Sequence, residues 1–312
     1  MPFVLIQGTF HLANRTSTGV ETGFEPDGDS IHFKPSKPTL LDRLEPVGSP
    51  YRLTNIGSTQ LRFEGIDALE LHFRPDNGSE SHQPRPLADE SRDYLTGRYR
   101  LNPVPYVQPR GIRVDPPLQR DAAPGYILSR SLDAHGRPVA FAFVGDPPAP
   151  DGSEVRLEVP LLRRSLNYRS VANGHAYPLF YDTLFADLRG ALTTAADNAR
   201  SSGKHLWALD RSQDGLAVDE QTDLEHDGVI FPKLFRRLTE FLTEPQSALG
   251  NFLGWLAKTE EQVLDLVENN FTHFDNLVEV SGGSVRLKRR PEQIVFVSAK
   301  TASPAVAPWL GV

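Results

Sequence analysis

The first half of this 312-residue chain consists of short β-rich runs broken by proline and glycine. Up to about residue 146 these runs are "FVLIQGTFHL", "DSIHFKP", "TQLRFEGIDALELHF", "GYILSRSL" and "RPVAFAFVGD". Short strands at this density, separated by turn-forming residues, are typical of a small barrel or sandwich. Two polar, proline-rich stretches, residues 34–50 and 100–125, interrupt the pattern. Because strands resume after each stretch, we interpret both as loop insertions on the barrel.

The pattern becomes helical after about residue 160. Apolar residues then recur at helical spacing, and Gly203 follows them as a natural helix C-cap. The recurring residues are Leu184, Leu188, Leu192, Ala195 and Ala199. The next segment, "LDRSQDGLAVDEQTDLEHDG", is acidic and poor in apolar residues, which predicts a domain boundary near Asp210. We therefore expect two domains, residues 1–209 and 210–312.

The second predicted domain begins with apolar residues at helical spacing. They predict helices over residues 231–242, 252–256 and 263–267. The sequence "NLVEVSGGSVRLKRR" then predicts a β-hairpin, and "QIVFVSA" predicts a strand beside it. We expect an α+β chain whose C-terminal domain is mostly helical and ends in a small sheet. Its aromatic and leucine residues are numerous enough to bind the barrel, a second copy of the chain or another protein, or to complete a core.

The composition excludes several classes of protein. The chain contains no cysteine, so it has no disulfide, no thiolate metal site and no cysteine nucleophile. No run approaches the ~18 apolar residues of a membrane helix, and the N-terminus lacks the features of a signal peptide. We therefore expect no membrane partner and a cytoplasmic location. The net charge of −7 argues against a general polyanion binder, but it allows a local basic cleft.

Three short motifs with charged residues follow one another inside the β-rich part. The first is D-G-D-S at residues 27–30, before a strand. The second is R-x4-D-x2-E, formed by Arg62, Asp67 and Glu70, and the third is H-G-R, which ends at Arg137. Each motif alone is typical of a turn or of the solvated face of a strand. Their order, inside a β-rich module followed by a helix, indicates a common site.

In this order the motifs resemble those of the staphylococcal nuclease (thermonuclease) family, over about residues 23–208. The resemblance implies a five-stranded β-barrel of the oligonucleotide-binding (OB) type with packed helices. Three positions depart from the family pattern. Ser30 replaces the usual Thr, Leu69 replaces a common Pro, and His135 lies where a phosphate-contacting Tyr is often found. The third departure bears on substrate binding, so we treat His135 as a candidate substrate-binding residue.

The resemblance also implies roles for individual residues. Asp29 and Asp67 would be the metal ligands, together with the backbone carbonyl of Ala68. Glu70 would be the general base. The two arginines that clamp the phosphate would be Arg62 and Arg137. The family's nucleotide-stacking tyrosines fall near Tyr177, Phe180 and Tyr181, for which core packing is the alternative.

These residue types suit phosphodiester hydrolysis on chemical grounds as well. A hard divalent cation prefers carboxylate and carbonyl oxygens, which favours calcium, with magnesium as the alternative. A nearby carboxylate can accept a proton from the attacking water. Guanidinium groups keep their charge and donate two parallel hydrogen bonds to phosphoryl oxygens. We therefore predict a metal-dependent endonuclease (phosphodiesterase) that acts on DNA, with RNA as a further substrate, and has little sequence specificity. If the chain follows the family, it leaves 3′-phosphate ends.

Two rival functions remain. The first is a non-catalytic module that binds nucleic acid or serves as a scaffold, as in nuclease-like repeats that have lost their charged residues. The charged residues are all present here, which favours an enzyme. The second is a regulated intracellular nuclease, for example in anti-phage defence, with the C-terminal domain as sensor or oligomerisation element.

Overall fold

A computed structural model describes residues 2–12, 14–15, 21–23, 26–101, 112–114, 122–245 and 247–298. The strands of the first half are β1 (Phe3–His11), β2 (Asn14–Arg15), β3 (Glu21–Gly23), β4 (His32–Pro35), β5 (Thr59–Gln60), β6 (Arg62–Phe63), β7 (Ile66–Asp67), β8 (Ile112–Val114), β9 (Ala122–Leu132), β10 (Pro138–Val144) and β11 (Glu154–Val155). The later strands are β12 (Tyr177–Pro178), β13 (Phe180–Tyr181), β14 (Leu216–Ala217), β15 (Gln262–Asp265), β16 (Asn270–His273), β17 (Val278–Ser281), β18 (Ser284–Leu287) and β19 (Ile294–Phe296).

The α-helices are α1 (Arg85–Arg98), α2 (Val159–Leu162), α3 (Leu166–Ala172), α4 (Ala186–Ser201), α5 (Gln221–His226), α6 (Pro232–Leu242) and α7 (Phe252–Ala257). Short 3-10 helices cover Pro38–Arg43, His205–Ala208, Leu249–Asn251, Phe274–Leu277 and Pro291–Gln293. The first predicted insertion therefore contains a helical turn. Most of the second insertion, residues 102–111 and 115–121, lies outside the described residues. None of the helices within the described ranges has both the length and the apolar character needed to cross a membrane.

The largest sheet is barrel-like. Its strands follow the order β5-β4-β1-β9-β10-β6, and β11 also pairs with β1. Neighbouring strands are antiparallel except for β10 and β6, which are parallel. Strands β5 and β6 lie at opposite ends of this order, yet only Leu61 separates them in the chain. The sheet is therefore nearly closed, which confirms the predicted combination of a barrel-like sheet with helices.

The predicted helix after residue 183 is also confirmed. It is α4, which buries Leu188, Leu192, Ala195 and Ala199 on one face. Gly203 follows it with a φ of +57°, the left-handed conformation that glycine adopts readily at a helix C-terminus. Helix α3 is tied to the barrel by the buried side chain of Asn167, which donates hydrogen bonds to the carbonyls of Glu64 and Ala140.

The C-terminal region differs in part from expectation. Its hairpin is confirmed as β17 and β18, with Gly282 and Gly283 in the turn at φ of +60° and +77°. The predicted helix over residues 263–267 is wrong, because this segment forms β15 and pairs with β16 and β19. Strand β19 pairs with β15 and β13 rather than with the hairpin. The described residues after 209 hold six short strands beside helices α5, α6 and α7, so the region is not mostly helical.

The residues on either side of position 209 pack together. Strand β13 of the N-terminal part pairs in parallel with β19 of the C-terminal part. The rings of Tyr177 and Phe231 lie 6.0 Å apart, and those of Phe231 and Phe296 lie 6.4 Å apart. All three residues belong to one continuous cluster of buried hydrophobic side chains. The C-terminal region is therefore in direct contact with the N-terminal part.

Candidate active site

The D-G-D-S turn lies against the segment that contains Asp67. The carbonyls of Asp29 and Ile31 accept hydrogen bonds from the backbone of Phe63 and Leu61, at 3.2 and 2.9 Å. A Cβ atom on Gly28 would lie only 2.8 Å from the Cβ of Ala68, so glycine permits this close approach. The Oδ2 atom of Asp29 then accepts a hydrogen bond of 3.1 Å from the N–H of Ala68. The observed contact between Asp29 and Ala68 thus uses the N–H of Ala68.

A tight turn at Gly65 sets the relative positions of Arg62 and Asp67. Gly65 has a φ of +80°, a conformation that side chains with a Cβ rarely adopt. A Cβ there would also lie 2.8 Å from Leu192 of helix α4. After β7 the backbone is fixed again, because Glu70 and Gln83 bond to each other. The N–H of Glu70 donates to the Gln83 side chain at 3.1 Å, and the carbonyl of Glu70 accepts from the N–H of Gln83 at 2.8 Å.

These two turns bring three carboxylates together: Asp29, Asp67 and Glu70. Burial, reinforced by the negative charges of Asp67 and Glu70, raises the pKa of Asp29 to about 7. Burial also raises the pKa of Glu70 to about 7, against the attraction of Arg236. Mutual repulsion of buried carboxylates favours either protonation or the binding of a cation. The acidic cluster, as we name these three residues, is therefore a place where positive charge is stabilised.

The positive charge in this structure comes from Arg236 of helix α6. Its guanidinium binds Asp67 in a bidentate manner, with Nη1 3.1 Å from Oδ1 and Nη2 2.9 Å from Oδ2. The Nη1 atom also donates to Oε1 of Glu70. Arg236 was not among the predicted site residues, because "KLFRRLTEF" indicates only an amphipathic helix with polar residues on one face. No signal in the sequence links this residue to an acid 169 positions away.

Helix α6 is held over the acidic cluster by contacts at several points. The side-chain amide of Gln83 donates to the carbonyls of Gly228 and Ile230, at 2.7 and 2.8 Å, just before the helix begins. The rings of Phe73 and Phe235 pack edge to face, 6.3 Å apart. Further contacts are ion pairs of Lys233 and Arg237 with Glu261. The position of Arg236 is therefore a product of the packed fold.

The two predicted arginines are placed differently. Arg62 adjoins the cluster, close enough to Asp67 and Arg236 for their charges to act on its pKa. Its Nη2 atom donates to the Tyr181 hydroxyl at 3.2 Å, and its guanidinium lies 5.1 Å from the centre of the Tyr181 ring. Arg137 instead lies in the β9–β10 turn, where its Nε donates to Asp133 at 2.7 Å. Its side chain is 32% exposed, and its described ion pair is with Asp133 rather than with the cluster.

A cavity of about 780 Å³ opens beside Arg62. Its charged and aromatic lining includes Arg62, Glu64, Arg130, Tyr181 and Phe185. Burial raises the pKa of Glu64 to about 7, although Arg130 lies 3.4 Å away and opposes this effect. Burial also acts on Tyr181, but the positive charges of Lys233 and Arg62 outweigh it and lower the pKa of this phenol. The cavity thus combines an arginine, an aromatic ring and a buried acid.

Only one of the four candidate substrate-binding residues lines this cavity, and that residue is Tyr181. Tyr177 and Phe180 are fully buried. The Tyr177 hydroxyl donates to Asp210 at 2.9 Å, and its ring packs against Trp207. Both side chains are part of the core, which was the alternative reading of these aromatics. His135 is exposed in the β9–β10 turn, where its N–H donates to Asp133.

The acidic cluster has the ligand types of a cation site, but its side chains are not arranged around a common point where a metal ion could bind. Among the described residues, no three side chains of the His, Cys, Asp and Glu types are grouped so that they could hold a metal ion. Carboxylate oxygens are nevertheless the ligands that calcium and magnesium prefer. The carboxylates of Asp67 and Glu70 already bind a cation, which is the guanidinium of Arg236. These oxygens are of the type that a divalent cation would bind, and in this structure the guanidinium of Arg236 occupies two of these carboxylates.

Comparison with known proteins assigns no family to this chain. No protein-family model matches this chain, and no curated protein sequence matches it. A function can therefore be inferred only from the residues and from their geometry.

Proposed function

We propose that this protein is a metal-dependent nuclease that hydrolyses phosphodiester bonds of DNA, with RNA as a further substrate and little sequence specificity. The observation that carries the proposal is the convergence of Asp29, Asp67 and Glu70 beside Arg62. These four residues come from two separate segments of the chain, and the cavity adjoins them at Arg62. Paired carboxylates next to a buried guanidinium suit the stabilisation of a phosphoryl group during attack by water.

The proposal includes an OB-type barrel in the N-terminal part of the chain. Strands β5 and β6 with Leu61 between them can be counted as one continuous strand. The sheet order then contains five strands, the number expected of an OB-type barrel. The cavity opens beside β6, and barrels of this type bind oligonucleotides on their strand face and at neighbouring loops. This supports an OB-type nuclease domain within residues 1–209.

The proposed cation site consists of Asp29, Asp67 and the backbone carbonyl of Ala68, with calcium favoured and magnesium as the alternative. When bound, the cation would polarise the phosphoryl group and neutralise part of its charge. Arg236 opposes this binding, because its positive guanidinium engages both oxygens of the Asp67 carboxylate and would repel the incoming cation. The repulsion among the three carboxylates would then be relieved by the incoming cation.

Glu70 is the proposed general base. Its pKa of about 7 is close to neutral pH, where a general base combines basicity with a useful ionised fraction. Its backbone is fixed by Gln83, so the carboxylate is held by the fold rather than by a mobile loop. Arg62, which is bound at the cavity by the Tyr181 hydroxyl, is the proposed phosphate donor. Arg137 is the second proposed donor, and it has to leave Asp133 or share it.

The substrate's base and sugar would occupy the cavity next to Arg62. Its volume of about 780 Å³ is in the usual range of small-molecule sites, and the ring of Tyr181 offers a stacking surface. A nucleotide there would direct its phosphate toward Arg62 and the acidic cluster. The C-terminal region would act on the reaction through Arg236.

A direct test uses the purified full-length chain with plasmid DNA, linear single-stranded DNA and RNA. Each substrate is incubated with calcium, with magnesium or with excess chelator. We expect cleavage only with a divalent cation, and we expect Glu70→Gln to abolish most of it. The exposed residue Asp146 offers a control, because Asp146→Asn removes a carboxylate outside the cluster. Cleavage that is equal in chelator would contradict the proposal.

The second candidate is a module that binds nucleic acid without cleaving it. The observation that favours it is the bidentate pairing of Asp67 with Arg236, which satisfies the acidic cluster without a metal. The same incubation separates the two functions if binding is measured by fluorescence anisotropy. Binding to an oligonucleotide without cleavage under any metal condition would support the binding module.

A further inference from the structure

We propose that Arg236 is a built-in competitor for the cation site, so that the C-terminal region keeps the acidic cluster closed until this arginine leaves. The inference rests on the proposed function, because the competing cation is the one that the nuclease would need. It goes further in assigning a regulatory role to a region that supplies none of the predicted catalytic residues.

Arg236 contacts the same carboxylates that a divalent cation would bind. The guanidinium of Arg236 occupies Oδ1 and Oδ2 of Asp67 at 3.1 and 2.9 Å, and it also contacts Glu70. These charge-assisted, bidentate hydrogen bonds engage both carboxylate oxygens, the type of atom that a divalent cation would coordinate. A divalent cation at Asp67 would have to share these oxygens with a positive guanidinium at close range, and the repulsion between the two cations disfavours such sharing.

The negative charges of Asp67 and Glu70 are largely shielded from solvent. The side chain of Asp67 is 6% exposed, and that of Glu70 is 16% exposed. Buried carboxylates without a counter-charge are strongly destabilising. Unless the acids are protonated, a cation offsets their charge, either the guanidinium or a divalent ion. The two cations are therefore alternatives, and removal of one favours the other.

The packing of helix α6 holds Arg236 next to the acidic cluster. The helix begins at Pro232, two residues after Ile230, whose carbonyl is bound by Gln83, and its Lys233 and Arg237 are paired with Glu261. Arg236 thus has a fixed backbone on a helix that is attached to the C-terminal sheet. Its effective concentration at the cluster is high, as for any tethered ligand. Opening requires either rotation of the Arg236 side chain or displacement of α6.

The test compares Arg236→Met with the wild-type chain. Calcium binding is measured by isothermal titration calorimetry, and the melting temperature is measured with calcium and with chelator. In chelator we expect Arg236→Met to melt below wild type, because the cluster has lost its cation. We expect calcium to raise its melting temperature by more than that of wild type, and calcium affinity to rise about tenfold or more.

A matched control is Arg200→Met. Arg200 binds Glu292 in a bidentate manner at 2.7 and 2.8 Å, and the Glu292 side chain is 1% exposed. This variant also breaks a buried ion pair, but one that lies outside the acidic cluster. It should lose stability without gaining calcium affinity. A gain equal to that of Arg236→Met would show that calcium binds any buried acid that has lost its arginine, which would overturn the inference.

The remaining outcomes separate the inference from the proposed function. If Arg236→Met binds calcium no better than wild type, competition is refuted even where the wild-type chain cleaves DNA. If the variant binds calcium better but neither chain cleaves nucleic acid, the nuclease proposal fails and competition stands. Should Arg236→Met fail to fold, Arg236→Lys keeps the charge but loses the planar fork. It should show an intermediate gain in calcium affinity, and the absence of any gain would again refute competition.

Discussion

Arg236 and Asp67 are 169 residues apart in the chain, yet the guanidinium of one binds both carboxylate oxygens of the other. This pair joins helix α6 of the C-terminal region to the strand that carries the predicted metal ligand. It also explains how a cluster of buried acids is tolerated in this structure.

The first prediction concerns the proposed general base. Glu70→Gln keeps the shape of the side chain but cannot accept a proton, so kcat should fall by roughly 10²–10⁴. The melting temperature should change little, since the amide can still accept a hydrogen bond from Arg236. Steady-state cleavage of a fluorescent oligonucleotide and thermal unfolding would be measured on the same preparation. A variant that cleaves at the wild-type rate would remove Glu70 from the mechanism.

The second prediction concerns Arg137, which is paired with Asp133 in this structure. Arg137→Lys keeps the charge and the ion pair but loses the bidentate fork. If Arg137 binds the phosphoryl group, kcat/KM should fall by an amount equivalent to about 3 kcal/mol. If Arg137 serves only to fix the β9–β10 turn, the lysine should retain nearly full activity. Kinetics of Arg62→Lys under the same conditions would give the reference loss for a donor that adjoins the cluster.

The third prediction concerns the link between the site and α6. Gln83 is fully buried and bonds to the backbone of Glu70, Gly228 and Ile230. Gln83→Leu would leave the N–H of Glu70 and the carbonyl of Ile230 without this partner, at a cost of about 1–3 kcal/mol for each group that stays unsatisfied, while the carbonyl of Gly228 keeps the N–H of Ile230. Urea unfolding should show this loss. If the substitution loosens α6, calcium should raise the free energy of unfolding of the variant by more than that of wild type. A smaller increase than in wild type would contradict the link between Gln83 and the position of Arg236.

The fourth prediction concerns the pH dependence of stability. His175 lies between the rings of Tyr94 and His205, at centroid distances of 4.1 and 4.0 Å. Burial, with the charges of His205 and Arg98, lowers the pKa of His175 to about 3. The unfolded chain therefore takes up a proton near the ordinary pKa of about 6.5, while the folded chain does not until about pH 3. The His175 contribution to stability is intact above pH 6.5 and declines as the pH falls from there toward 3.

This effect is isolated by a difference measurement. His175→Phe retains a ring for stacking but removes the titration. The free energy of unfolding of wild type minus that of the variant should decrease as the pH falls from 7 to 4, by at most about 1.4 kcal/mol per pH unit. A constant difference over this range would mean that His175 titrates alike in both states.

The comparison of sequence and structure shows which inferences depend on local pattern. Strand β9, helix α4 and the glycine turn between β17 and β18 were predictable, because alternation, helical spacing and left-handed glycines are local properties. Strand β15 was mistaken for a helix, because a short apolar run has no clear period. Its pairing with β19, about thirty residues later, decides its conformation.

The candidate site, like the fold, was only partly predictable from the sequence. Asp29, Asp67 and Glu70 could be proposed from the order of the motifs and the family that they resemble, and the structure brings the three residues together. The burial of Tyr177 in the core could not be foreseen, since an aromatic residue in a short apolar run suits both a core and a binding surface. Arg236 could not be found either, because its role depends on how α6 packs against the first part of the chain.

The most direct test of the account is the rate at which the wild-type chain cleaves single-stranded DNA as its cation is removed and then restored. The same sample is measured in calcium, after excess chelator, and after calcium is added back, in parallel with Asp67→Asn. We expect cleavage in calcium, none in chelator, full recovery on restoration, and little activity in the Asp67→Asn variant at any stage. Cleavage that continues undiminished in excess chelator, or in Asp67→Asn, would contradict the assignment of the acidic cluster as the metal site of a nuclease.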